Sequence, residues 1–307
     1  MEATMWRRTS PHASNASIAF ALMPDDKLCQ QGGICLVKSL SIEDAFQWTQ
    51  RLVAREWKLL LPVAFAFMAV PQLAFNLLMP AAIADSFAKG DPQLIMQLLE
   101  KAPWVMPSAI GVQVIALAGA LSIAALALVP RISVREAIGL GLQRLFVLVV
   151  AMLLLFVAVV VLAFLVAALL QVLRLNSAGQ KVILAGVIIG STFVIWMRLI
   201  TLAAVVAMSR AGPVASIRLA WELSAGAFWR ILGCVLIYSI GAQVVVLAST
   251  FALGAIFVLT CSAIGAPSLG PVLSITYATL ASAAFWAGFH VLAAGFYRQL
   301  GGSIRGA

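Results

Sequence analysis

Charged side chains are scarce in this sequence. They make up 10% of its 307 residues, against about 25% in an ordinary soluble protein. Acids are rarer still: eleven Asp and Glu stand against twenty Lys and Arg. A water-soluble fold of this length has too few charges here to cover its surface. There are two histidines, His12 and His290, and four cysteines, Cys29, Cys35, Cys234 and Cys261, with no CxxC spacing. Clusters of ligands at metal-site spacing are therefore missing. No paired nucleophile and base, and no cofactor-binding motif, stands out either. The reading is a chain with no catalytic residue, no metal and no cofactor.

What is present is apolar: 63% of the residues. Lipid is the solvent that accommodates such a composition, because there apolar side chains can face outward. Six apolar stretches cover roughly 59–79, 105–129, 145–173, 182–208, 231–261 and 271–297. Each is long enough for a hydrocarbon core of about 30 Å, which takes roughly 20 helical residues. The runs are continuous and lack period-two alternation, which excludes a β-barrel. The first holds Pro62 and Pro71, so a kink is expected there. The expected fold is an all-α polytopic membrane helix bundle of about six spans. Residues 1–38 read as a disordered tail, 39–300 as the membrane domain and 301–307 as a short C-terminal tail. Arg7-Arg8 followed by a short apolar stretch lacks the length and cleavage site of a signal peptide.

The net charge of +9 does not mark a nucleic-acid binder. The Lys and Arg sit at the ends of the apolar runs, where membrane lipids are the natural partner. Sixteen fall on the side of the N-terminus, or fifteen without Arg198, and four, Lys89, Lys101, Arg174 and Lys181, on the other. The positive-inside rule then places both termini in the cytoplasm, in a cell membrane of the bacterial inner-membrane type. Interfacial anchors are read at Trp57, Lys58, Trp221, Trp229, Arg230 and Arg298, where aromatic and basic side chains adjoin at span ends.

A pattern of Ser, β-branched residue, two residues, Ala and bulky apolar residue occurs three times. It begins at Ser41, Ser133 and Ser216 and precedes the first, third and fifth runs. The unit is one amphipathic helix plus one transmembrane hairpin. Ser41 with Asp44, and Ser133 with Glu136, have capping-box spacing. In the third copy Gly212-Pro213 is expected to start the helix. In the first, Ile42, Ala45, Phe46, Leu52 and Val53 share a face, as in a helix lying in the interface plane.

Residues 196–236 carry Arg198-Leu199, Gly212-Pro213, a helix from Ala215 to Leu223 with Trp221, and Trp229-Arg230. This succession resembles the membrane domain associated with glycerophosphoryl diester phosphodiesterases. The ending Tyr297-Arg298-Gln299-Leu300, the six-span layout and the loop containing Gly90-Asp91-Pro92 resemble it too, over about residues 38–300. In members that hydrolyse phosphodiesters a separate barrel carries the chemistry, with a His-Arg-Gly-like segment and acidic metal ligands. That segment is absent here, so the resemblance implies a stand-alone membrane domain without hydrolytic activity.

Arg198 is the sharpest polar position. It precedes Arg210 by twelve residues, about 18 Å along a continuous helix, which puts it near the midplane. Arg198, Tyr277 and His290 are the candidate contacts for an anion or lipid phosphate. Thr201, Tyr277, backbone carbonyls and Glu222 are candidate partners for the guanidinium; an arginine that snorkels or bonds carbonyls is the structural alternative. Gln113 and Gln243 read as interhelical hydrogen-bond formers, and Gly186 and Gly190 as a close-packing pair. The function these features favour is a non-enzymatic scaffold or accessory factor in membrane lipid or envelope homeostasis, with a membrane-protein partner or a second copy. The alternative is a transporter or channel for a small or anionic solute, with Arg198 and His290 lining its path.

Overall fold

A computed structural model describes residues 41–80, 82, 83, 86, 92–172 and 177–301. The tail expected over 1–38, residues 302–307, and Gly90-Asp91 lie outside the described residues. Those described are helical, with no strand among them. The helices are α1 (Ile42–Ala64), α2 (Val70–Leu78), α3 (Pro92–Lys101), α4 (Val105–Leu128), α5 (Val134–Val172), α6 (Ser177–Arg198), α7 (Leu202–Met208), α8 (Pro213–Ala225), α9 (Phe228–Ala263) and α10 (Leu269–Gln299). Six helical stretches are long and apolar enough to cross a membrane: Ile42–Leu78, Val105–Leu128, Val134–Val172, Val182–Met208, Phe228–Ala263 and Leu269–Gln299. Many large apolar side chains lie on the outer surface, such as Phe146 at 74% exposure and Phe251 at 71%. In water such a surface would aggregate; against acyl chains it costs nothing.

Three helix starts show how the local sequence works. Ser41 caps α1, its Oγ accepting from the Asp44 N–H at 3.2 Å. Ser133 closes a full capping box. Its Oγ accepts from the Glu136 N–H, and its own N–H donates to Glu136 Oε2 at 3.0 Å. At the third start Gly212 is the cap and Pro213 the first helical residue. That moves the start forward, so Ser216 lies inside α8 and is fully buried. Replacing Ser41 by Ala is expected to loosen the first turn of α1 by about 1 kcal/mol, read as faster amide exchange confined to that turn.

The amphipathic segments are not all separate from the spans. In the first two copies the helix runs straight into the membrane run, because no Gly or Pro intervenes between Phe46 and Leu59 or between Leu142 and Phe146. In the third, a turn at Gly226-Ala227 separates α8 from α9. On α1 the buried face comprises Ala45, Thr49, Leu52 and Leu60, while Ile42 is exposed, a departure from the expected stripe. Thr49 joins that face by donating its hydroxyl to the Ala45 carbonyl at 2.8 Å. The polar face carries a ladder, Gln47 to Glu43 and Arg51 to Gln47.

The expected kink takes the form of a π-helical segment, Phe65–Ala69, between α1 and α2. Pro62 and Pro71 each lack an N–H, and the ladder resets with the Val70 N–H bonded to the Phe65 carbonyl. The bend is needed for packing. Trp48 lies against Gly295, and the Asn76 amide donates to Thr279 Oγ1 at 3.3 Å, both on α10. From Trp48 to Asn76 the helical path is about 42 Å, and from Gly295 to Thr279 about 24 Å, so a straight parallel pairing is impossible.

The interior is built around α10, which packs on α1, α4, α7 and α9, and around the α4–α5 hairpin. One buried cluster joins Ala45, Met197, Ile200, Ile231, Leu292 and Phe296. Another joins Leu121, Leu148, Leu202, Val205, Ala220 and Tyr297. Helix α6 is peripheral, and α9 packs chiefly along α10 with much of its remaining surface outward.

Candidate functional site

The fourth apolar run is not one continuous helix. α6 ends at Arg198, residues 199–201 form a turn, and α7 follows. No Gly or Pro marks the break. Its cause is tertiary: α7 is seven residues long, and its Leu202, Ala204, Val205 and Val206 are essentially unexposed, wedged among α4, α5, α8 and α10.

This break moves Arg198. Its neighbours Met197 and Ile200 pack in one cluster with Ala45 of the first turn of α1 and Phe296 near the end of α10. Its guanidinium carbon lies 5.3 Å from the Trp221 ring centre on α8 and 5.1 Å from that of Phe228, the first residue of α9. Helix starts and helix ends therefore surround it. Arg198 belongs to one end of the bundle, not to the midplane, because the twelve-residue spacing to Arg210 does not follow a straight helix.

Rings organise this end. Phe228 meets Trp229 edge to face at 5.4 Å, and Trp229 itself is 78% exposed. Trp196 stacks on Phe289 at 5.5 Å with planes 4° apart. Arg298 lies over Trp48 at 5.7 Å, and Lys58 over Trp57 at 5.9 Å. Trp57 and Trp221 are exposed, as anchors require. Arg230 is exposed as well.

The expected trio of Arg198, Tyr277 and His290 is not assembled. Tyr277 packs edge to face on Phe257 of α9, 6.5 Å away. It lies thirteen residues before His290 on α10, about 20 Å along the axis. His290 contacts the rings of Trp286 and Phe289, and its imidazole makes no hydrogen bond among the described residues. Glu222 is not a partner of Arg198 either: it is held by Arg218 Nε at 2.8 Å. Gln113 and Gln243 lie on the outer surface without an interhelical bond. Gly186 and Gly190 have no neighbour within 4 Å, so the pair joins no helices within this chain. Spans are bridged by the Asn76 amide donating to the Thr279 hydroxyl, supported by Gln72 donating to Asn76 at 2.9 Å, and by the Tyr238 hydroxyl donating to the Phe285 carbonyl at 2.8 Å.

Sequence reasoning missed Trp48 and Phe228. Each stands near a span end carrying Arg or Lys, a usable signal. Ser216 was read as the first residue of the third repeat, and its burial follows from the start of α8 at Gly212-Pro213. Cys234 and Cys261 are buried free thiols. Among the described residues no three His, Cys, Asp or Glu side chains gather as a metal site would require.

Models of known protein families, curated proteins and solved structures contain no match to this chain. Its class rests on its own architecture: a multi-pass, all-helical integral membrane protein with six long apolar helices among the described residues.

Proposed function

We propose that this protein is a non-enzymatic membrane component acting at the head-group layer, as a scaffold or accessory factor in membrane lipid or envelope homeostasis. The observation that carries this is the concentration of exposed Trp and basic side chains at one end of the bundle, with Trp221, Trp229 and Arg230 around the Arg198 joint. Amphipathic rings and cations of this kind settle at the boundary between acyl chains and anionic head groups. We place that end in the cytoplasm of a bacterial inner membrane, on the charge asymmetry, with both termini there because the number of spans is even. The threefold repeat and the kinship to the stand-alone membrane domain of the phosphodiesterase family belong to the same proposal. The repeat is supported by the capped starts at Ser41 and Ser133.

Topology is tested with reporter fusions. Green fluorescent protein at either terminus is expected to fluoresce, and alkaline phosphatase inserted near Gly90 to be active. Termini on opposite sides would refute the arrangement. The scaffold role is tested by cross-linking in mild detergent, which should capture one recurring membrane protein or a second copy. Reconstituted vesicles should show no solute flux; flux abolished by Arg198→Ala would replace this proposal with the transporter alternative.

A further inference from the structure

At the joint between α6 and α7 the chain holds a positive charge that no acid among the described residues neutralises. The ion pairs among the described residues are Arg55 with Glu56 and Arg218 with Glu222. Arg198 instead lies between two ring faces, Trp221 and Phe228. Ring faces attract a cation but take none of the N–H bonds that a guanidinium offers in its plane. Its Nη1 is buried and makes no hydrogen bond. The side chain as a whole is only half-buried, so part of it reaches the surface. The elements on either side are unsatisfied too. The hydroxyls of Thr201, in the turn after Arg198, of Ser209, capping α7, and of Ser216, on α8, are buried without partners.

Buried charge persists in proteins when an opposite charge meets it. A guanidinium held by rings presents a planar fork, which matches two oxygens of one phosphate. We infer that the joint of Arg198, Trp221 and Phe228 binds the phosphate of an anionic phospholipid head group. This rests on the head-group reading above and names its ligand. The lipid is favoured over free phosphate by the setting: Trp196, Trp221 and Trp229, all on or beside the joint, are exposed at 41%, 42% and 78%. Such rings mark the depth at which phospholipid phosphates lie.

The test uses the full chain in detergent, titrated with short-chain phosphatidylglycerol and followed by native mass spectrometry. Arg198→Gln should weaken binding about tenfold, as loss of a charged hydrogen bond implies. Arg210→Gln, which removes one charge from the same end, should change it less than about twofold. Equal binding by wild type and Arg198→Gln would overturn the inference. Displacement by excess inorganic phosphate would assign the joint to a free anion and overturn the lipid. If Arg198→Gln does not fold, Trp221→Leu keeps the charge and removes one wall; unchanged binding in that variant would overturn the inference equally. Partner capture is measured separately, so a failed lipid titration with an intact cross-linked partner removes this inference and leaves the scaffold proposal standing.

Discussion

Replacing Phe296 by Ala is expected to lower the unfolding free energy by about 3 kcal/mol. Phe296 is fully buried and is the largest such side chain among the described residues. It fills the cluster where Ala45, Met197, Ile200, Ile231 and Leu292 meet. Residues of α1, α6, α9 and α10 thus share one buried cluster with this ring. Transfer from water supplies little of this energy, since acyl chains are as apolar as the core. The loss is of dispersion contacts, which a cavity forfeits and lipid cannot enter to restore. Phe164 provides the contrast. It is 72% exposed on α5, and its Ala variant should change stability by less than about 0.5 kcal/mol. Reversible unfolding in mixed detergent micelles measures both. Equal effects would mean that Phe296 does not face the interior.

Gly141→Leu should cost about as much, by the opposite mechanism. Gly141 faces α4 at the seam of the α4–α5 hairpin. A Cβ there would lie 2.5 Å from Ser122 Oγ and 3.2 Å from both the Ala118 carbonyl oxygen and the Ser122 nitrogen. Two of these are backbone atoms and cannot rotate away. Ser122 is also committed, donating its hydroxyl to the Ala118 carbonyl at 2.8 Å. The helices must separate, at a cost of about 3 kcal/mol or with loss of the folded bundle. Gly139, two residues earlier on α5, has open space around its Cβ position. Gly139→Leu should therefore be neutral or slightly stabilising, because leucine favours a helix more than glycine does. Thermal aggregation of the two variants in one detergent compares them. A stable Gly141→Leu protein would refute the seam.

Much of the bundle was legible in local sequence. Run length located six spans, proline located the bend, and serine with an acid three residues later located two helix starts. Each signal acts within a few residues of itself, so no distant partner is needed to read it. Arg198 was legible as unusual, but not its place. The run from Leu199 to Met208 is apolar and contains no breaker, so nothing local announces a turn at 199–201. The short helix exists because α4, α5, α8 and α10 bury its residues from all sides. The same holds for Gln113, Gln243, Gly186 and Gly190. Their residue types promise helix contacts, yet α4, α6 and α9 each present these positions outward.

By itself, then, the sequence determined the medium and the number of long apolar helices. Those follow from sums over neighbouring side chains, which survive any arrangement of the helices. Only the tertiary structure decided that Arg198 sits at the bundle's end, clasped by Trp221 and Phe228, and that Tyr277 packs on Phe257 and His290 on Trp286 and Phe289. Those facts depend on which helix lies beside which, and that is set by packing between segments remote in the chain.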